Sequence, residues 1–317
     1  MNKIALFSVA AALLTGCCCP KCCDPDDPVV GNWAMYLPFE DMSAGSLIIT
    51  RDAEGKPHAQ MLLRWASPWD AKSCEINGDT FKVVAQGGHE VVEGRVHGFQ
   101  ADCTITGFGA KKAPFKAIRN PPIRPANTDD AVLGEPIDIL KDGLDGFRLM
   151  GKNESGWSFK DGVLSNRVKK DAKGKRIGHY ANIMTKRADF YDFQLEYDVR
   201  VPKDSNSGVY LRGRYEIQTL DSYGLPVDRH NMAAYYGRVA PCVAAEKPAG
   251  EWQHVKVTLY KRHLTVFLNG MKIIENAPVV GVTGGAIDAN EFVPGPLYIQ
   301  GDHSDADYRN MILRPAI

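Results

Sequence analysis

No charge of one sign dominates this chain of 317 residues, in which 38 Lys and Arg stand against 38 Asp and Glu. The balance leaves out the basic field that nucleic acids require and the polybasic patch of a membrane-surface protein. Long hydrophobic runs are also missing. Ile4 to Leu14 is apolar apart from Ser8, and no later stretch approaches the roughly 18 residues of a spanning helix. There is no Gly-x-Ser-x-Gly elbow, P-loop or dinucleotide fingerprint, which disfavours a serine hydrolase, a kinase or a nicotinamide enzyme. No HExxH and no pair of Cys-x-x-Cys motifs appears, so no zinc site is legible. Long segments of helical periodicity are absent too. What is present is a globular composition, 44% hydrophobic and 24% charged, with 30 Gly and 19 Pro. That many turn residues predicts an all-β chain, and the length suits one large domain or two ordinary ones.

The N-terminus reads as an address. Lys3 is a positive n-region, Ile4 to Leu14 an apolar h-region, and Leu14-Thr15-Gly16-Cys17 resembles a bacterial lipobox. Residues 1–16 are expected to be a signal peptide and Cys17 the acylated residue. Each buried methylene of its acyl chains would contribute about 0.8 kcal/mol to anchoring. The expected location is an exported lipoprotein facing the periplasm or the cell surface, touching the membrane only through its lipid. Residues 17–30 read as a disordered Cys-rich tether in which Cys18, Cys19, Cys22 and Cys23 are incidental thiols, the less favoured alternative being that they bind a soft metal. Cys74, Cys103 and Cys242 are isolated, and an oxidising compartment permits a Cys74–Cys103 disulfide.

The rest divides into two β-rich parts. Residues 31–119 hold short β-patterned runs separated by turn clusters such as Asp52–Pro57 and Asn77-Gly78, which predicts a small antiparallel barrel or sandwich. No ligand is assigned to it. Residues 120–136, with Pro121, Pro122, Pro125 and Pro136, read as a stiff linker. Residues 137–317 pattern more cleanly. Phe193, Leu195, Tyr197, Val199 and Val201 alternate with Gln194, Glu196, Asp198 and Arg200, the mark of a strand with one buried face. Asn269-Gly270 marks a hairpin. Strands without βαβ alternation predict a two-sheet sandwich of jelly-roll type.

One predicted strand has an unusual polar face. Arg212, Arg214, Glu216 and Gln218 are expected on one side of it, between Asn206-Ser207-Gly208 and Asp221-Ser222-Tyr223-Gly224. A solvated outer face would look the same. Glu216 could serve as a base or metal ligand, and Arg212 offers a fork of donors for hydroxyls or an oxyanion. A second cluster is Gln300-Gly301-Asp302-His303, where Gln300 and Asp302 could orient His303. The loop containing His230 could close over a ligand.

At these residues the chain resembles the 3-keto-disaccharide hydrolase-like domain family. The resemblance rests on Asn206 to Gln218, Gly156-Trp157, Asp161 to Leu164, Gly250 to Gln253, Leu268-Asn269-Gly270, Gly295-Pro296-Leu297, Gln300 to His303 and Arg309-Asn310, in order over about residues 137–317. It departs at Ser304, where a Gly commonly follows the His, and at Asn231 to Gly237. The resemblance implies a concanavalin-like jelly roll and a glycoside substrate already oxidised to a ketone at carbon 3. A base would remove the acidified proton from carbon 2, the aglycone would leave from carbon 1, and water would add back. Glu216 or His303 would be the base. Asn206, Arg212, Gln218 and Gln300 would bind hydroxyls or the enediolate, and Asp221 would orient the site. A divalent metal could hold the developing oxyanion, and the cofactor is otherwise unknown. The alternatives are a non-catalytic glycan-binding lipoprotein and, less favoured, a laminarinase-like glycosidase. The latter needs a carboxylate pair where Gln218 stands.

Overall fold

The structure, a computed structural model, describes residues 27–40, 42–107, 110–174 and 176–317. Cys17, the signal segment and the Cys cluster to Cys23 lie outside the described residues. The first part contributes β1 (Gly31–Tyr36), β2 (Ala44–Arg51), β3 (Pro57–Leu63), β4 (Trp69–Asp70), β5 (Ser73–Asn77), β6 (Thr80–Val84), β7 (Val91–His97), β8 (Gln100–Gly107) and β9 (Ala110–Arg119). They form one nine-stranded sheet in the order β4-β3-β2-β1-β9-β8-β7-β6-β5. Its two end strands are consecutive in the chain. Between them, Ala71 N donates to Ala59 O at 2.8 Å and Lys72 N to Val84 O at 2.9 Å, so the sheet curls until its ends meet, as a barrel does. Trp33, Met35, Leu47, Val83, Val92 and Ile105 fill the interior. Cys74 and Cys103 are free thiols, not a disulfide. Burial pushes the Cys103 thiol up to about 12.

The second part contributes β10 (Ile137–Asp138), β11 (Phe147–Leu149), β12 (Trp157–Lys160), β13 (Val163–Asn166), β14 (Ile183–Thr185), β15 (Phe193–Arg200) and β16 (Asn206–Leu211). It continues with β17 (Tyr215–Leu220), β18 (Gln253–Tyr260), β19 (His263–Leu268), β20 (Met271–Pro278), β21 (Tyr298–Ile299) and β22 (Ala306–Pro315). An eight-stranded sheet runs β12-β13-β22-β15-β18-β19-β20, with β10 on β22, and a five-stranded sheet runs β11-β14-β21-β16-β17. The two pack as a concanavalin-like jelly roll. In β15 the alternation holds as expected, with Phe193, Leu195, Tyr197 and Val199 at 0–1% exposure and the polar residues between them half-buried. Val209, Leu211, Ile217 and Ile299 of the smaller sheet face Leu195, Val257 and Leu313 of the larger in one core.

Period-two alternation then sends the other residues of the smaller sheet to its outer face. Arg148 pairs with Met184 across β11 and β14, and Met184 with Tyr298 across β14 and β21. Tyr298 pairs in turn with Tyr210 on β16, and Tyr210 with Glu216 on β17. One row of side chains thus crosses all five strands, from Arg148 to Glu216.

The segment 120–136 is a strap against the jelly roll. Thr128 N donates to Asn276 Oδ1 at 3.0 Å and the Thr128 and Thr265 hydroxyls meet at 2.6 Å. Ala34, Ala44 and Leu62 of the barrel are buried in the same apolar cluster as the jelly-roll core.

Candidate active site

The expectation that Arg212, Arg214, Glu216 and Gln218 share one strand face is corrected. β16 ends at Leu211, β17 begins at Tyr215, and Arg212-Gly213-Arg214 is the turn between them, with Arg212 at φ 54° and Gly213 at φ 68°. Three residues is an odd number, so Leu211 still pairs with Tyr215 and the alternation of faces survives. The arginines leave the face altogether. Arg212 is 1% exposed, donates to the Tyr215 hydroxyl at 3.0 Å and to the Glu291 carbonyl, and lies under the Tyr191 ring. It braces buried Glu291 and does not reach the cleft. Arg214 holds Asp288 through two bonds at 2.9 and 2.8 Å. Asp221 is also drawn elsewhere: its carboxylate accepts from Asp204 N at 3.0 Å and closes the mouth of the β16–β17 hairpin.

The remaining predicted residues converge. Asn206, Glu216, Gln218, Gln300 and His303 line one cavity of about 360 Å³ on the outer face of the smaller sheet. Further residues share it, including Tyr210, Tyr236, Tyr298, Gly284, Gly285 and, from the barrel, Trp65 and Ala66. A larger hollow of about 530 Å³ on the barrel, lined by Glu93 and Lys112 among others, holds none of these groups.

Glu216 is 3% exposed. Burial pushes its carboxyl up to about 8, the Asp302 charge adds to the rise, and the Tyr210 hydrogen bond opposes it. The bonding of Tyr210 independently argues for a protonated carboxyl. Its hydroxyl lies 2.8 Å from Glu216 Oε2 and 2.8 Å from the Gly284 carbonyl. The carbonyl can only accept and a phenol has one proton, so both bonds form together only when Glu216 carries the second proton. Gly208 makes room for this carboxyl. A Cβ there would overlap Glu216 Oε1, which explains the glycine of Asn206-Ser207-Gly208 without any special backbone angle.

His303 is half exposed, and its Nδ1 donates to Asp302 Oδ1 at 2.7 Å. A carboxylate only accepts, so Nδ1 carries the proton, and in the neutral ring Nε2 keeps its lone pair. The turn that carries this dyad is pinned. Gly301 N and Asp302 N donate to Asn182 Oδ1 at 2.8 and 3.1 Å, and Asn166 Nδ2 donates to the carbonyls of Gly301 and Ser304 at 2.9 and 2.8 Å. Ser304 Oγ accepts from Asn206 N at 2.6 Å and donates to Asn206 O at 2.8 Å. The departure from the family pattern at Ser304 therefore ties this turn to the start of β16.

Two acceptors in the cavity wall are uncommitted: Asn206 Oδ1 and Gln300 Oε1 are buried without a protein partner. Such atoms cost roughly 1–3 kcal/mol each unless a donor arrives, and sugar hydroxyls are donors. Gln218 Oε1 accepts from Thr219 N at 3.0 Å. Ala233 to Tyr236 pairs along β17, with Gln218 N donating to Ala234 O and Tyr236 N to Glu216 O, both at 3.0 Å. That brings Tyr236 to the rim. The expected closing loop is a fixed joint, because His230 Nε2 lies 2.6 Å from Ser67 Oγ. Among the described residues no group of three or more His, Cys, Asp or Glu is placed to hold a metal ion.

Tyr298 was within reach of sequence reasoning, because it stands two residues before Gln300 and period-two alternation puts both on one face. Trp65 and Ala66 had no such signal, since they come from the other part of the chain.

The family model for the 3-keto-alpha-glucoside-1,2-lyase-like domain matches residues 139–314. A search of curated proteins finds no match. Among solved structures, a candidate glycosyl hydrolase from Parabacteroides distasonis is 24% identical, with 62% of this chain and 93% of that one covered and a TM-score of 0.45. A second from the same organism is 24% identical over 57% of this chain and all of that one, with a TM-score of 0.44. The carbohydrate-binding module CBM66 from Bacillus subtilis is 11% identical over 52% and 93%, with a TM-score of 0.34.

Proposed function

The chain belongs to the 3-keto-alpha-glucoside-1,2-lyase-like domain family and so to the carbohydrate-acting proteins, and from that membership we propose that it cleaves 3-keto-glycosides by elimination followed by hydration. The observation that carries this reading is the pairing, in one cavity, of a carboxyl with a raised pKa and a histidine whose Nε2 is free. A protonated carboxyl and a ring nitrogen with a free lone pair can divide acid and base work between them.

In the proposed reaction His303 Nε2 takes the proton from carbon 2 of the sugar, which the carbon 3 ketone has made acidic. The electron pair moves onto the carbonyl oxygen, forming an enediolate. Glu216, protonated at neutral pH, is the proton donor for oxygen that gains charge, and Tyr210 holds it in place. The electron pair then returns to re-form the carbon 3 carbonyl, a double bond forms between carbons 1 and 2, and the bond between carbon 1 and the aglycone oxygen breaks. The aglycone departs with a proton, and water adds across carbons 1 and 2 to give the free 3-keto sugar. Positioned acid–base groups of this kind supply about a hundredfold to ten-thousandfold each. Asn206 Oδ1 and Gln300 Oε1 receive sugar hydroxyls, and Gln218 completes the wall. No step of this reading runs through a metal. An ordinary retaining glycosidase is disfavoured, because it needs two free carboxylates about 5–5.5 Å apart and Asp302 is committed to His303.

The test offers 4-nitrophenyl 3-keto-glucoside and its unoxidised parent, each with and without a chelator. Release from the keto substrate alone, unaffected by chelator and lost in Glu216→Gln and His303→Ala, is expected. Release from the parent would point to a glycosidase, and cleavage of neither to a glycan-binding protein. We also propose that Cys17 is acylated and anchors the exported protein. Metabolic labelling with palmitate should then be lost in Cys17→Ala.

A further inference from the structure

The cleft continues past the cavity of Glu216 and His303. A neighbouring cavity of about 390 Å³ shares Trp65 and Asp302 with it. The row of paired residues links the two. It runs from Glu216 through Tyr210 and Tyr298 to Met184 and Arg148, about 19 Å across the five-stranded sheet at the usual spacing of strands. Tyr210, Tyr298 and Met184, with Met150 and Ile287 packed against them, form an apolar cluster separate from both domain cores. That cluster is a continuous floor under both cavities.

The wall opposite this floor comes from the barrel. Arg64 to Pro68 joins β3 to β4, outside the residues that match the family. Arg64 and Ala66 both sit in the left-handed region, at φ 60° and 61°. Non-glycine residues hold that conformation at a cost and keep it where the surroundings impose it. The jelly roll does so here. Gly285 N donates to Arg64 O at 2.7 Å, and Ser67 Oγ meets His230 Nε2. A Cβ on Gly284 would overlap the Ala66 backbone, and one on Gly237 would come within 2.5 Å of Ser67 Oγ. Held this way, Trp65 is still 48% exposed, with the Arg64 guanidinium 4.6 Å from its ring centre.

Resting on the elimination reading above, we propose that this loop builds the leaving-group half of the cleft and that this half takes a flat aromatic aglycone stacked on Trp65. The chemistry of the half favours an aromatic ring over a second sugar. Thioethers, an indole and guanidinium planes are partners for a π-face. The Asn182 side chain, by contrast, is already consumed by Gly301, Asp302 and Tyr298, and the other polar side chains that line this half, Glu40, Arg148 and Asn153, are solvent-exposed.

The full chain is assayed on 4-nitrophenyl, methyl and disaccharide 3-keto-glucosides. In Trp65→Ala the ratio of kcat/KM for the 4-nitrophenyl over the methyl substrate should fall about tenfold, the worth of a good aromatic contact, and Trp65→Phe should restore it. An unchanged ratio overturns the proposal. So does an equal fall for the disaccharide over the methyl substrate, which would make the half a sugar subsite. Calorimetric titration with unoxidised 4-nitrophenyl glucoside separates this inference from the reaction. Binding by the wild type that weakens about tenfold in Trp65→Ala supports it even if no substrate is cleaved, in which case the elimination reading alone falls. No binding by the wild type overturns it.

Discussion

Glu216 concentrates the chemistry of the cleft in one proton. Its carboxyl is buried beneath the cavity, bonded to a tyrosine that has no second proton to offer, and raised to about 8. If the protonated form works, kcat should fall as pH rises through about 8 and the Glu216→Gln variant should lose that limb along with about a hundredfold or more of the rate; a pH–rate profile of both proteins decides it. Stability carries the same signature. The folded-state value lies above the ordinary 4.5, so the folded protein binds the extra proton between the two values. Its contribution is fully present below 4.5 and is lost as pH rises toward about 8, by up to about 1.4 kcal/mol per pH unit. Chemical denaturation at a series of pH values should show a flatter dependence for Glu216→Gln. Gly208→Ala probes the space around the same carboxyl. The added methyl overlaps Glu216 Oε1, and overpacking of this kind costs about 1–3 kcal/mol, so the variant should fold, melt somewhat earlier and lose most of its activity.

At the scale of elements, the cleft depends on a turn and two strands held in fixed register. The turn after β21 carries Gln300, Asp302 and His303, and Ser304 fastens it to the first residue of β16 by two hydrogen bonds. Ser304→Gly should cost about 1–3 kcal/mol, since each bond contributes roughly 0.5–1.5 kcal/mol, and should raise KM more than it lowers kcat by loosening Asn206. Equal losses in both would instead place the effect on His303. The β16–β17 hairpin shows how a short turn sorts side chains: its three residues keep Tyr210 and Glu216 on the outer face, yet carry Arg212 and Arg214 away into the packing around Glu291 and Asp288.

At the scale of the whole molecule, barrel and jelly roll share apolar contacts. On β1, Trp33 and Met35 point into the barrel while Ala34 points out, opposite Ser46, which in turn pairs with Leu62. Ala34 and Leu62 join the jelly-roll core, and Asn120 Nδ2 donates to buried Glu291 at 2.5 Å. A shared core couples the folding of its parts, so differential scanning calorimetry should show one cooperative transition. Two separated transitions would make the contact between the parts a weak one.

What the sequence determined by itself was local. Alternation along Phe193 to Val201 specified a half-buried strand because side chains on a strand repeat every two residues. The ordered motifs from Gly156 to Asn310 specified the family and with it the jelly roll. Asn206, Glu216, Gln218, Gln300 and His303 could be nominated because their polar types stood on or beside strands. What the tertiary structure decided was which of the nominees meet. Arg212 looked like its neighbours in the string of residues but falls in a turn, where the Glu291 backbone carbonyl and the Tyr215 hydroxyl claim it, and Asp221 is spent on a backbone amide. Trp65 lies 151 positions before Glu216 in the numbering, and only the packing of one β-domain on the other brings it to the cleft. Burial, too, belongs to the folded molecule: a glutamate written in a sequence is an ordinary acid, and it holds its proton at neutral pH here because the fold removes the water that would have solvated its charge.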